Sequence, residues 1–132
     1  MFLDANIFIY AFDTKEGDKK IACQNLLRSI ISKKTNAHTS VLVLNEVHYF
    51  FLNSQNAKRA NAIIKNILSY TNLSILSLDK ELFFLVAQYT EDGLLTTDAF
   101  HVASMNINSI STICSYDKGF DSIKSIKRQV PK

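Results

Sequence analysis

Four acidic residues stand where this sequence should be apolar. Asp4 closes the run Met1-Phe2-Leu3, and Glu46 interrupts Val41-Leu42-Val43-Leu44-Asn45-Glu46-Val47. Asp98 opens Asp98-Ala99-Phe100-His101-Val102-Ala103, and Asp117 follows Ile113-Cys114-Ser115-Tyr116. A carboxylate taken out of water is costly unless it is paired, hydrogen-bonded or bound to metal. Four of them at the edges of core segments point to convergence on a cation, and so to a metal-dependent hydrolase. Oxygen-only ligands select hard cations, Mg2+ or Mn2+. One or two such ions suit in-line phosphoryl displacement, because a pair can clamp the attacking and leaving oxygens. Asp4, at the end of a rigid strand, is the natural first ligand. Asn6 can orient Asp4 or a water, and Ser115 can do the same for Asp117.

These acids need elements to carry them. Met1-Phe2-Leu3 reads as a short buried strand, with a helical turn over Asn6–Phe12 and a charged loop over 13–18 behind it. A helix is predicted from about Asp18 to Lys33, with Ile21, Leu26, Leu27, Ile30 and Ile31 as its apolar face. Ala37-His38-Thr39 reads as a brief strand, and Ser40 as the N-cap of a helix over Val41–Leu52. A turn over 53–56 leads to a helix from Ala57 to Tyr70. Leu73–Leu78 reads as a strand, Asp79 as the cap of a helix to Glu91, and Gly93 as its stop. Thr96 or Thr97 is predicted to cap the helix that carries Asp98. Ser111–Tyr116 is the best strand signal, with a turn over Asp117–Asp121 and a last strand within Ile123–Val130. Strands alternating with helices imply a parallel sheet covered on both faces. Ligands of such sheets bind beyond the carboxyl ends of the strands. Asp4 and Asp117 both fall there, while Asp98 sits in a helix first turn and Glu46 lies mid-helix.

The bulk properties fit a single domain over 1–132. The chain is 47% hydrophobic and 20% charged, with 3 glycines and 1 proline, which argues against linkers and against an all-β fold of tight turns. No apolar stretch approaches the roughly 20 residues of a membrane span. Asp4 breaks the N-terminal apolar run, so a secretory signal is not expected and a cytoplasmic location is. Cys23 and Cys114 are isolated thiols with no zinc spacing. The net charge is +3, from 15 basic and 12 acidic residues. Sequestering the four acids in one cleft leaves the remaining surface more basic still, which suits a polyanionic substrate.

The sequence resembles the PIN-domain ribonucleases, and among them the toxins of the VapBC toxin–antitoxin type. The segments that carry the likeness are Phe2-Leu3-Asp4-Ala5-Asn6, Asn45-Glu46-Val47, Thr97-Asp98-Ala99-Phe100-His101-Val102-Ala103-Ser104 and Ser115-Tyr116-Asp117-Lys118-Gly119-Phe120. Each is weak alone; their order and spacing cover essentially the whole chain. The resemblance implies a three-layer α/β/α sandwich and a Mg2+- or Mn2+-dependent endonuclease acting on RNA. It maps Asp4, Glu46, Asp98 and Asp117 onto the family's acidic site, and Asp121 onto a more variable acidic position. It also implies a homodimer and a small antitoxin that blocks the site. Gly119 departs from the pattern, since many relatives carry a charged residue there.

Other readings compete. Asp4 can simply cap a turn after the first strand, Glu46 can be a solvated helix residue, Asp98 a dipole partner at its helix N-terminus, and Asp117 and Asp121 ordinary turn residues. His101, three residues after Asp98 on the same helical side, reads as a packed core histidine, or else as a ligand or general acid. His38 and His48 have no evident partners. Tyr49-Phe50-Phe51 reads as core or dimer interface before it reads as a base-stacking platform. Lys19-Lys20, Lys33-Lys34 and Lys58-Arg59 are solvated faces or phosphate contacts. A non-catalytic RNA- or protein-binding module is the main alternative from another class, and a housekeeping RNA-processing nuclease is the alternative within it. A dehalogenase-type phosphatase wants an Asp where Asn6 stands, and a phospho-receiver wants an early acidic pair. A nucleotide-binding NTPase wants a Gly-rich phosphate loop.

Overall fold

The structure is a computed structural model that describes residues 1–13, 15 and 17–132. Its centre is a five-stranded sheet in the order β3-β2-β1-β4-β5, with β1 at Phe2–Leu3, β2 at Ala37–Ser40, β3 at Leu73–Leu76, β4 at Thr112–Cys114 and β5 at Lys127–Gln129. Every neighbouring pair is parallel, with Phe2 opposite both His38 and Ile113. Six helices connect them: α1 Ala5–Phe12, α2 Asp18–Ile31, α3 Val41–Ser54, α4 Ala57–Leu68, α5 Leu82–Glu91 and α6 Thr96–Ile107. The first two crossovers step outward from β1 to β2 to β3. The third returns across the sheet to β4, on the far side of β1. Right-handed crossovers therefore place α1–α4 on one face and α5–α6 on the other. This is the expected parallel sheet with helices on both faces.

Local chemistry explains most boundaries. Phe2 and Leu3 are fully buried because β1 is the central strand, covered from both sides. Ser40 caps α3 by accepting from the Val43 N–H, as expected, and Asn56 caps α4 by accepting from Arg59. Gly93, at φ +96°, ends α5: its N–H reaches the Thr90 carbonyl and that of Leu94 reaches the Tyr89 carbonyl. A main core joins β1–β4 to α1–α4 and to Val102 and Met105 of α6 around Phe2, Phe8 and Phe51, and a smaller cluster of Leu82, Val86, Ala99 and Ala103 ties α5 to α6. Each fully buried Phe, Leu or Ile contributes about 1.5–3 kcal/mol of apolar burial.

Three expectations change. Asp79 does not cap α5. Its carbonyl closes a turn onto the Leu82 N–H and the helix begins only at Leu82, after Glu81. Neither Thr96 nor Thr97 caps α6. Leu95 holds the cap position and both threonines lie inside the first turn, which carries Asp98 instead. On α2 the buried side chains are Cys23, Leu27 and Ile30, while Ile21 and Ile31 are half exposed. The loop expected over 13–18 falls partly on residues 14 and 16, outside the described residues.

Candidate active site

In the strand order, β1 is where the sheet turns back: the chain moves from it to β2 on one side and later to β4 on the other. Such a switch point opens a crevice beyond the carboxyl ends of the two strands. Asp4 and Ser115 are the residues that follow β1 and β4, and the Asp4 N–H extends the ladder to the Cys114 carbonyl at 3.1 Å. Both side chains are buried, Asp4 at 7% exposure and Ser115 at 0%.

The Asp4 carboxylate is held from three directions. Its Oδ1 accepts from the Ala5 N–H at 2.7 Å, which also makes Asp4 the N-cap of α1. Its Oδ2 accepts from Asn6 Nδ2 and from Ser115 Oγ, both at 2.6 Å. Ser115 Oγ in turn accepts from Asn6 Nδ2 and from the Asp117 N–H, both at 2.9 Å, and Asn6 Oδ1 accepts from the Tyr116 N–H at 3.2 Å. Asn6 thus orients Asp4 as anticipated. The Ser115 hydroxyl goes to Asp4 and to the Asp117 backbone, not to the Asp117 carboxylate. That carboxylate caps the 3-10 turn Lys118–Ser122 by accepting from the Gly119 N–H at 2.8 Å, with the side chain exposed. A Cβ at Gly119 would sit 3.1 Å from Asp117 Oδ1, so glycine keeps that oxygen uncrowded.

The other two acids arrive on helices. Asp98 is half-buried in the first turn of α6, where the macrodipole favours an anion. Glu46 projects from the middle of α3, one third exposed, with Oε1 2.9 Å from His101 Nε2 on α6. Glu46 Oε1 and, on the other side of the ring, His101 Nδ1 are both buried and make no hydrogen bond. The acids interact pairwise: Asp4 with Glu46, and Asp98 with Glu46 and Asp117. Burial is the main cause that raises the Asp4 pKa; the Ser115 hydrogen bond and the His101 charge oppose it, and Glu46 adds repulsion. Burial likewise raises Asp98, His101 again opposes, and Asp117 and Glu46 repel.

The donor set fits a hard divalent cation in kind: four carboxylates linked by pairwise repulsion through Glu46 and Asp98, one oxygen of Glu46 buried and unsatisfied, and no thiol. The group is open, since among the described residues no three His, Cys, Asp or Glu side chains already converge closely enough to hold an ion. Asp121 faces away from a ligand role. Both its oxygens are taken by Arg128, at 2.7 Å from Nε and 2.9 Å from Nη2. Arg128 also donates to the Ser115 carbonyl at 3.1 Å, a brace that no sequence signal marked.

Of the other expectations, Phe51 is core, whereas Tyr49 is 68% exposed and lines, with Phe50, Ala5, Ile9 and Asn53, a groove that begins at Glu46. His48 pairs with Asn61 at 2.8 Å, and His38 Nδ1 is buried without a partner. Lys19 lies over the rings of Tyr10 and Tyr116, 5.0 and 4.8 Å from their centres. Cys23 and Cys114 are free and buried, as expected. No helix among the described residues is long and apolar enough to cross a membrane.

Comparison with known proteins gives a consistent result. A family model described as PIN domain matches residues 1–126. Ribonuclease VapC13 of Mycobacterium tuberculosis is 25% identical over 134 residues, spanning 97% of this chain and 98% of its own. Among solved structures, Mycobacterium tuberculosis VapC20, described as a sarcin-ricin loop cleaving toxin, superposes with TM-score 0.77 at 17% identity, over 93% of this chain and 94% of its own. A DNA-bound VapBC from Salmonella typhimurium superposes with TM-score 0.71 at 15% identity, over 98% of this chain and 96% of its own. These structural likenesses show the fold.

Proposed function

The chain belongs to the PIN-domain family, and from that premise we propose that it is a Mg2+- or Mn2+-dependent endoribonuclease, the toxin of a toxin–antitoxin pair. Residues 1–132 act as one nuclease domain, in the cytoplasm, as a homodimer that a small antitoxin holds inactive. The observation that supports the reading is the buried, hydrogen-bonded Asp4 carboxylate at the sheet's switch point, with Glu46 close enough to repel it and Asp98 repelled in turn by Glu46 and Asp117.

In this reading those four carboxylates hold the ion. The chemistry it supplies is Lewis-acidic, making water a competent nucleophile at neutral pH and neutralising charge on the leaving oxygen. Asp4 is the fixed reference point, because Asn6, Ser115 and the Ala5 N–H lock its carboxylate before anything binds. Asn6 and Ser115 are supporting residues, since each also ties the loop of Asp117 to Asp4. Asp121 supports more remotely, by holding Arg128 against the Ser115 carbonyl. No histidine base is required.

The test is cleavage of a labelled RNA pool by purified protein with Mn2+, with EDTA, and by Asp4→Asn with Mn2+. Cleavage by the parent with Mn2+ alone is the expected result. Equal cleavage by Asp4→Asn defeats the site assignment, and equal cleavage in EDTA defeats the metal dependence.

A further inference from the structure

We infer that His101 is a positioning residue of the acidic site, holding Glu46 in place for the cation. The inference rests on the function proposed above and adds a residue to it. His101 has 2% exposure, and its ring packs against Phe2 of β1, with centroids 5.7 Å apart. From α6 it thus reaches both the central strand and Glu46 of α3. Its Nε2 is 2.9 Å from Glu46 Oε1. Its electrostatic interaction also opposes the raised pKa of Asp4 and of Asp98.

A core histidine that merely fills space has no reason to meet the one glutamate on a neighbouring helix. Glu46 has three rotatable bonds ahead of its carboxylate and no hydrogen bond at Oε1. Without a partner, its head group samples solvent along α3, and an ion must then order it at the cost of its rotamer freedom. The buried ring removes that cost in advance and leaves the oxygen open to a cation. Neighbours of this kind set ligand direction at metal sites, and their loss typically weakens binding by about 10–100-fold.

The test is Mn2+ affinity of the ribonuclease-independent kind, read by titration of the apo-protein with Mn2+ and electron paramagnetic resonance of the free ion. Five proteins are compared: parent, His101→Leu, His101→Gln, Glu46→Gln and the double variant Glu46→Gln/His101→Leu. Leucine keeps an apolar volume and removes the ring nitrogen that meets Glu46; glutamine places a side-chain nitrogen near the position of Nε2. The expected result is a loss of about tenfold or more in His101→Leu and recovery to within about threefold of the parent in His101→Gln. In the Glu46→Gln background, His101→Leu should add nothing, because the residue acts through Glu46. Should His101→Leu not fold, His101→Asn serves instead, since its shorter side chain leaves Nε2 unreplaced. Parental affinity in the donor-less variants, or an equal loss with and without Glu46, overturns the positioning role and leaves the nuclease reading standing. No Mn2+ binding by the parent overturns both.

Discussion

The two halves of the acidic site are built differently. On the strand side, Asp4, Asn6, Ser115 and the Asp117 loop form one closed hydrogen-bond network beneath β1 and β4. On the helix side, Glu46 and Asp98 approach from α3 and α6 with a single close contact, from Glu46 to His101. The first half is satisfied by folding alone. The second keeps unpaired buried oxygen and like-charge repulsion that folding does not relieve. A preorganised anchor facing an adjustable wall lets one rigid carboxylate fix where an ion sits while the others close on it.

The largest effect should come from breaking the anchor. Ser115→Ala removes the hydroxyl from Asp4 Oδ2, takes one of two acceptors from Asn6 Nδ2 and leaves the part-buried Asp117 N–H without its acceptor. A fully buried unpaired N–H costs about 1–3 kcal/mol, and this part-buried one costs less because water reaches it. RNA cleavage and Mn2+ affinity are expected to fall together by about 10–100-fold. Parental values for both would mean that the network is ornamental.

The adjustable half should respond to the ion itself. Mn2+ at about 100 times its Kd stabilises the folded state by about 2.7 kcal/mol. For a chain of 132 residues that corresponds to a rise in Tm of roughly 8–10 °C. Hydrogen exchange localises it: amides of the α6 first turn should slow on adding Mn2+, while those of Ala5, Tyr116 and Asp117 are already protected without it. Uniform slowing across both halves would erase the distinction between them.

The same division explains what the sequence alone reveals. Asp4, Asn6 and Ser115 are legible because they border strong local signals, a buried strand end and the best strand in the chain. Their hydrogen bonds follow once β1 and β4 are neighbours. The contact between Glu46 and His101 is not legible. Periodicity marks the apolar faces of α3 and α6 but not which turn of one meets which turn of the other, and that depends on the packing of both helices on the sheet. A signal was present in the shared helical face of Asp98 and His101, yet a buried histidine reads first as core. Caps failed in the same way. Asp79, Thr96 and Thr97 have the right chemistry, but the backbone enters α5 at Leu82 and α6 from Leu95, so their side chains are out of register with the free N–H groups. The exposed Ile21 and Ile31 show that α2 presents a narrower buried stripe than its apolar residues suggest.

A smaller effect separates the halves by pH. Asp4 has a folded pKa above its ordinary value, chiefly through burial. The folded state then holds the proton more tightly than the unfolded chain, so without metal this group's contribution to stability is lost as pH rises from about 4 through the folded pKa. The difference in Tm between the parent in EDTA and Asp4→Asn should therefore move against the parent across that window. With Mn2+ present the drift should reverse, because the ionised carboxylate is the form that binds. A difference that stays flat in EDTA would mean that Asp4 is not desolvated.

The smallest effect belongs to Asp121, and it tests where the site ends. Its bidentate pair with Arg128 is exposed, so screening by water leaves little stability in it. The pair pulls the Asp121 pKa below the ordinary value, chiefly through the Arg128 hydrogen bond, so whatever it contributes is present above about pH 4 and fades as pH falls. Asp121→Asn is expected to keep parental Mn2+ affinity, because both oxygens already face Arg128 and not the crevice. RNA cleavage should drop only slightly, through loosening of Arg128 from the Ser115 carbonyl. A loss of Mn2+ affinity as large as that of Ser115→Ala would move Asp121 into the ligand set and extend the rigid half of the site along the 3-10 turn to β5.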